Sequence, residues 1–504
     1  RTIILKIGGA KLLSQYELSD EILSMSLTQT DIANLKISAN GTPRMGDIIE
    51  DLIELHNTQK MQEGVDYYRN NHKIKDRQIT YFDENGEEQV DETATNHKLP
   101  HNWHKLLVDQ KANYLVGKPI TFNAKDTSDA EANQQTDSEQ LTDKVKELLG
   151  EDFNDDLWEL CKGSSNKGVE WLHPYIDSEG EFDYVVIDAR EGIPIWETRK
   201  QKELQGFIRY YLLNVNGDDR IRAEYWTAEE VQYFTENEAG VLQPDDEPEA
   251  HFDYNQEGQS WGKVPFIPFK NNEEMLNDLN NYKELIDDYN LNVSDLSNDL
   301  ADLQEAIYVL KNYQGESLAE FKTNLRYYRA LKTDGDGGLD IQEMDIPIDA
   351  KDSHLDRLEE NIFTFGQGVN TKSEKFGQNP SGVALKFMYA LLDLKADKTE
   401  RKFKRALRDF LWFIAKYLEY EEKTEYDHKS VDITFNKSMI INESEKIQSA
   451  AQSKSIVSDE TIAANHPWVD DVDQEMDRLE EQQSGADVFG ERIARELGVE
   501  EGEI

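Results

Sequence analysis

The chain has 504 residues and a net charge of −47, from 102 acidic and 55 basic side chains, with 38% hydrophobic and 10% aromatic residues and one cysteine. The length allows about three or four domains, and the apolar content is enough for most of the chain to fold. So acidic a surface repels duplex DNA at long range, because non-specific affinity needs Lys and Arg to displace counterions; the charge fits a protein that avoids DNA or a wall that DNA passes without sticking.

The single cysteine, Cys161, excludes a disulfide framework within the chain and fits a reducing cytoplasm. It falls in an amphipathic pattern, Phe153 to Cys161, and reads as a small buried hydrophobe. No apolar run reaches about 18 residues, the length of a membrane span. Residues 1–14 lack the charged-then-apolar layout of a secretory signal.

In chain order, residues 17–63 read as helices, with Ile48, Leu52, Ile53 and Leu55 on one face, and Val65 to Arg69 continues the pattern. Tyr81-Phe82 and Glu88 to Val90 flank Asp83-Glu-Asn-Gly-Glu87, a hairpin signal. His104 to Leu115 predicts a helix that stops at Gly117-Lys-Pro119, and Ile120 to Phe122 a short strand. Asn123 to Asp143 is polar and acidic and reads as a mobile insertion. From Gly168 the period changes to two. Val169 to His173, Phe182 to Ile187, Ile193 to Trp196, Leu204 to Val215, Arg220 to Trp226 and Val231 to Phe234 predict a mostly antiparallel β region. Leu242 to Gly258 reads as an acidic loop, and Val264 to Phe269, with two prolines, as an extended connector.

Glu273 to Leu303 predicts a long helix with Leu279, Ile286, Tyr289, Val293 and Leu300 among its apolar positions and mostly Asp, Asn and Glu elsewhere. Ala306 to Leu310, Arg326 to Leu331 and Leu339 to Met344 read as strands around a short helix, Leu318 to Leu325, with a tight hairpin at Thr333 to Leu339. Ser353 to Phe363 is a second helix. The polar loop Gly366 to Gly382 leads into the longest helix pattern, Val383 to Glu421. A strand (Val431 to Phe435) and helices at Glu443 to Ser455, Ser458 to Ala464 and Asp470 to Gln483 complete the chain.

Catalytic motifs are weak. Thr2-Ile-Ile-Leu-Lys-Ile-Gly-Gly-Ala10 looks like the strand and phosphate loop that open amino-acid kinases, but helices follow it where that family alternates strands and helices. A calcium loop starting at Asp334 would need Gly and Glu where Leu339 and Asp345 stand, so this stretch reads as the hairpin. The ten histidines are not at ligand spacing, and His101 and His104 sit near a helix start. No metal or cofactor site and no catalytic residues are expected. The basic stretch is more distinctive. Lys395, Lys398, Lys402 and Arg405 follow helical spacing, with Arg401, Lys404 and Arg408 beside them, so eight basic residues fall between Lys386 and Arg408 against three acidic ones. Such a stripe is either a solvated face or an attractor for a polyanion or an acidic neighbouring subunit. In the loop before it, Asn370, Thr371, Lys372, Ser373, Lys375, Gln378 and Asn379 offer groups that meet phosphate oxygens without base selectivity.

Several stretches together resemble the portal proteins of tailed bacteriophages, especially those of long-tailed phages of Gram-positive hosts. They are Trp103 to Phe122, Asn166 to Trp171, His173 to Val185, Val264 to Met275, Tyr308 to Tyr313, Asn324 to Tyr327, Gly335 to Gly338 and Tyr389 to Ala396, in order over most of residues 60–420. The resemblance implies an α+β portal fold, with a helical stem and crown, a β-rich wing and a small α/β clip, assembled as a homo-oligomeric ring, typically of twelve subunits. It implies a wing at 1–271, a stem helix at 272–303, a clip at 304–350 and a return helix at 351–366. A tunnel loop at 367–382 that reaches the DNA, a long wing helix and strand at 383–436 and a crown at 437–504 complete the assignment. Such a ring sits at one vertex of the virion capsid after assembly in the host cytoplasm. It passes double-stranded viral DNA during packaging and ejection, without sequence selectivity. Its partners are the terminase motor, where the ATPase resides, the head-tail adaptors, and capsid and scaffolding proteins. The alternatives are a kinase-like enzyme resting on residues 2–10 and an acidic virion scaffold without a channel.

Overall fold

A computed structural model describes residues 44–302 apart from 93, 126–135, 216 and 255–256, then 307–311, 338–342, 347–371, 382–438, 443–454 and 456–464, with a few positions outside these spans. The kinase-like segment 2–10, the short helix 318–325, the strand 326–331 and the loop residues 372–381 lie outside the described residues. The described chain mixes helices and antiparallel sheets, an α+β class, and forms two compact units. One holds residues 1–65, 106–280 and 367–504; the other holds 66–105 and 281–366. Residues 66–105, placed with the wing from sequence, therefore group with the two helices that follow residue 280.

The larger unit is built on a five-stranded antiparallel sheet, ordered Leu242–Pro244, Val231–Glu236, Asp218–Trp226, Leu204–Val215, Gly192–Trp196. A three-stranded sheet places Val169–Ile176 between Ile267–Lys270 and Phe182–Ile187. Trp171, Trp196, Phe207 and Phe266 form one core, with Phe207 stacked on Phe266 at 4.0 Å. Each large ring removes some 150–250 Å² from water and dominates such a core. The helix Phe153–Lys167 ends on Gly168, whose φ of +92° turns the chain into the strand Val169–Ile176, and a Cβ there would lie 1.9 Å from the Met275 carbonyl oxygen.

Three expectations need correction here. Ile267–Lys270 is a strand despite Pro268; it lies at the edge of its sheet, where a missing N–H is tolerated. The supposed insertion 123–143 begins with a strand, Thr121–Ala124, paired to Val431–Thr434, and ends in the helix Asp137–Leu149. That helix is capped by Thr136, whose Oγ1 accepts from the Glu139 N–H, and buries Leu141, Val145 and Leu149. The acidic loop 242–258 contributes the edge strand Leu242–Pro244 and the first strand of a hairpin, Phe252–Tyr254 with Glu257–Gln259.

The smaller unit is organised by the helices Lys283–Asp302 and Ile348–Gly366. The first starts ten residues later than periodicity suggests, because Asp278–Asn281 forms a 3-10 turn. Trp103 meets Tyr289 and Phe363 edge-on at 5.4 and 5.6 Å. Beside them runs a polar ladder. The extended stretch 97–101 donates the His97, Leu99 and His101 N–H groups to Asn298 Oδ1, Ser294 Oγ and Asn290 Oδ1 at 2.7, 3.1 and 2.8 Å. Two residues of extended chain advance about 6.6 Å and four residues of helix about 6 Å, so the two repeats stay in step. Asn290 Nδ2 also donates to His72 Nδ1 at 2.9 Å, and burial holds His72 below its ordinary pKa, in the neutral form that this bond requires.

Replacing Asn290 with Ala orphans the His101 amide and the acceptor nitrogen of His72. We expect a loss of about 2–4 kcal/mol and faster amide exchange at His97, Leu99 and His101. Asn292, whose side chain among the described residues bonds only to Asp288 one turn back, should on replacement by Ala change stability by under about 0.5 kcal/mol. Thermal unfolding with amide exchange reads both.

Candidate functional site

The longest element, Gly382–Glu422, rises about 60 Å at 1.5 Å per residue. Tyr389, Leu392, Ala396, Phe403, Ala406, Leu407, Phe410, Leu411, Ile414 and Leu418 recur at intervals of three and four and are buried. Phe403 meets Phe269 edge-on at 5.0 Å, which docks the helix on the edge strand Ile267–Lys270.

A buried polar cluster fixes the same helix. Asp278 Oδ2 lies 2.9 Å from Lys395 Nζ and 3.3 Å from Lys111 Nζ, with all three side chains no more than 9% exposed. Lys111 Nζ also donates to Ser165 Oγ at 3.0 Å and to Asn271 Oδ1, and Asn271 Nδ2 donates to Asp278 Oδ1 at 2.9 Å. Burial alone would raise the Asp278 carboxyl, but the two ammonium groups and the Asn271 amide hold it well below its ordinary 3.8. Burial lowers Lys395, against the pull of Asp278. Cys161, fully buried nearby, has its thiol pushed up to about 11 by burial, so it is an inert packing residue.

A second cluster gathers the acidic residues of the helix. Lys437 reaches Asp393 at 3.3 Å, Glu400 at 3.1 Å and Asp397, and Tyr114 donates to Asp393 at 2.9 Å. The three carboxylates that interrupt the basic stretch thus converge on one lysine, which they hold above its ordinary pKa despite burial. Lys398, Arg401, Arg405 and Arg408 remain exposed.

The chain is similar to known portal proteins. A family described as phage portal protein, SPP1 Gp6-like, matches residues 51–488. The portal protein of Bacillus phage SPP1 is 40% identical over 444 residues, covering 86% of each chain. The chain belongs to the phage portal protein family. The portal protein of Clostridium phage phiCD119 is 32% identical over 438 residues, 82% of this chain and 91% of that one. Portal proteins are structural components of the phage virion, and both relatives come from phages of Gram-positive hosts.

Within this portal-family chain the predicted site residues separate. Lys395 is buried against Asp278, Lys402 pairs with Glu273, and Arg405 Nη2 donates to the Lys202 carbonyl at 2.8 Å, so the basic stripe is only partly free. Among the described residues Lys398 and Arg401 have no ion-pair partner. Of the loop residues, Asn370 and Thr371 follow Val369, which is clamped by Gln110: Gln110 Nε2 donates to its carbonyl at 2.9 Å and Gln110 Oε1 accepts its N–H at 3.0 Å. Lys372, Ser373, Lys375, Gln378 and Asn379 lie outside the described residues. Asp278, Lys111 and Lys437 were missed from sequence, since in so acidic a chain nothing local marks a carboxylate or lysine whose partner is dozens to more than a hundred residues away.

Two lysines share one carboxylate, so the partners are unequal. Asp278→Asn leaves two buried cations together and should cost about 3–5 kcal/mol, whereas Lys395→Met leaves a one-to-one pair and should be near neutral. Because Asp278 titrates lower in the folded chain than in the unfolded one, its contribution is present above the ordinary carboxylate value and declines as the pH falls below about 4. Urea unfolding of both variants at pH 7 and at pH 3–4 checks the asymmetry, and Asp278→Asn should flatten the acid limb.

Proposed function

We propose that this chain is the subunit of a ring at one vertex of the capsid, the head-to-tail connector through which double-stranded DNA enters and leaves. The similarity to a portal protein, 40% over 86% of both chains, carries this reading. The helices Lys283–Asp302 and Ile348–Gly366 are then the stem, the strands Ile307–Lys311 and Gly338–Gln342 belong to the clip that meets terminase and later the adaptors, and residues 367–382 form the tunnel loop. The β-rich region is the wing, and the segment from 437 onward the crown.

The electrostatics fit a conduit. Each phosphate contact strengthens binding and its salt dependence, and tight contacts would stall translocation. Several carboxylates of Lys283–Asp302 are already answered within their unit: Asp295 by Arg77 at 2.6 Å, Asp299 by Lys351, and Asp287 by Lys283 at 3.3 Å. Such a helix neither attracts phosphate nor repels it as strongly as its composition suggests. Contact with DNA falls to the loop, through Asn370, Thr371, Lys372, Ser373, Lys375, Gln378 and Asn379.

Negative-stain micrographs of the purified chain test the reading. Twelve copies of a 58.2 kDa chain give rings of about 0.7 MDa with a bore wide enough for a double helix. Particles without a central hole favour the scaffold alternative, and ATP turnover by the chain alone favours an enzyme. The exposed cations Lys398 and Arg401 face the neighbouring subunit in this reading. The double variant Lys398→Glu/Arg401→Glu should therefore weaken ring assembly in native mass spectrometry while leaving subunit stability within about 0.5 kcal/mol; unchanged rings reject that contact.

A further inference from the structure

The cations of the long helix border a cleft in the larger unit. Its volume is 360 Å³, and its charged lining is five basic residues, Lys202, Lys263, Lys270, Lys402 and Arg405, against Glu203, Glu273 and Asp409. In a chain of net charge −47 this is a local reversal of sign. Lys270 is the unusual member. It is only 7% exposed, yet no carboxylate among the described residues lies within ion-pair distance of it. Its Nζ donates to Gln201 Oε1 at 3.1 Å and to the Gln201 carbonyl at 3.4 Å, and it stands 4.7 Å over the Trp196 ring. The nearby Glu273 pairs with Lys402 instead. Burial pushes Lys270 down to about 8. A buried ammonium without a counter-charge is costly, and an arriving anion would relieve that cost.

A second observation says what kind of molecule brings the anion. Phe387, Leu391, Leu394, Lys398, Lys402 and Arg405 are spaced by four, three, four, four and three residues, and so share one face of the helix. Phe387, Leu391 and Leu394 are 79, 41 and 56% exposed. A face that is apolar at one end and cationic at the other suits a protein surface, because a nucleic acid or free phosphate would leave the aromatic and leucine side chains in water.

We propose that the cleft is a carboxylate-binding site, filled by an acidic segment of a second copy of this chain that also covers Phe387, Leu391 and Leu394. The proposal rests on the reading that the chain assembles into a ring, and it assigns the contact to Lys270, a residue outside the basic stripe. A head-to-tail ring needs two different complementary faces on each subunit, and an acidic chain with one cationic cleft supplies such a pair.

The test uses the full chain and follows assembly against protein concentration by mass photometry. Lys270→Met keeps an unbranched apolar stem on Trp196 and removes the charge. We expect the concentration needed for assembly to rise at least about tenfold, while the thermal midpoint of dissociated subunits holds or rises by about 2–5 °C, because an unpaired buried cation is gone. Assembly equal to the wild type overturns the proposal. So does lost assembly with a lowered subunit midpoint, which makes Lys270 a folding residue. Phe387→Ser, at an exposed position, should weaken assembly by a similar factor without changing the subunit midpoint, and unaltered assembly there also overturns the proposal. Inorganic phosphate separates the sources of the anion: if it raises the midpoint of wild-type subunits but not of Lys270→Met, and both assemble alike, the cleft takes free anions and the second-copy occupant is wrong. A wild-type chain that stays monomeric at every concentration sinks the ring reading itself, whereas wild-type and Lys270→Met rings of equal stability sink only this inference.

Discussion

The carboxylate of Asp278, shared by Lys111 and Lys395, is the constraint on which the surface of the larger unit depends. It joins the helix Trp103–Val116, the turn at Asp278–Asn281 and the helix Gly382–Glu422, segments far apart in sequence. Hydrophobic burial fixes only which side of the long helix faces inward, since dispersion contacts tolerate small slides along the axis. An ion pair in a dry environment does not tolerate them, because moving either charge by an ångström or two leaves it unsatisfied. The cluster thereby sets the axial position of the helix, and with it where Lys398, Lys402 and Arg405 emerge.

The net charge conceals a sorting of charges. On the long helix Asp393, Asp397 and Glu400 turn toward Lys437, while Lys398 and Arg401 turn outward. On Lys283–Asp302 the sorting reverses, and cations from other segments cover the carboxylates. What a partner meets is the residue of this internal pairing, so an acidic chain presents a cationic cleft and a helix rich in aspartate is partly neutralised. Composition supports an argument about long-range repulsion; contact-range attraction is decided by which ion pairs close within the subunit.

Elements with a strong internal period were legible in the sequence. The hairpin around Asn85-Gly86, the strands from Val169 to Glu236 and the long helix were found within a few residues, because alternation and the three-four spacing are local properties. Elements stabilised from outside were not. Ile267–Lys270 carries Pro268 and is a strand only because its single neighbour asks little of it, and Asp137–Leu149 was hidden by the polar run before it. The row Asn290, Ser294, Asn298 falls among the polar positions of its helix with nothing in the sequence to single it out, and its purpose appears only when the N–H groups of residues 97–101 arrive. The candidate site divides in the same way. The basic stripe was visible as spacing, but that Lys395 is an internal anchor and Lys270 the exposed chemistry's buried neighbour depends on partners the spacing does not contain.

In the proposed ring, assembly and translocation stand on different physical footings. Contacts that close a ring must persist under load, so they need desolvated charges and apolar cover, which the face of the long helix and its cleft can provide. Contacts with a moving polyanion must be weak and quickly exchanged, which calls for hydrated side chains on a loop, where ordering costs entropy and limits affinity. A lysine fixed in a rigid wall would bind each passing phosphate in the same geometry and hold it there. In the proposed reading the firmly held cations are confined to a cleft that takes carboxylate and phosphate is left to Lys372 and Lys375 of the loop, so that one chain is adhesive toward its own copies and slippery toward DNA.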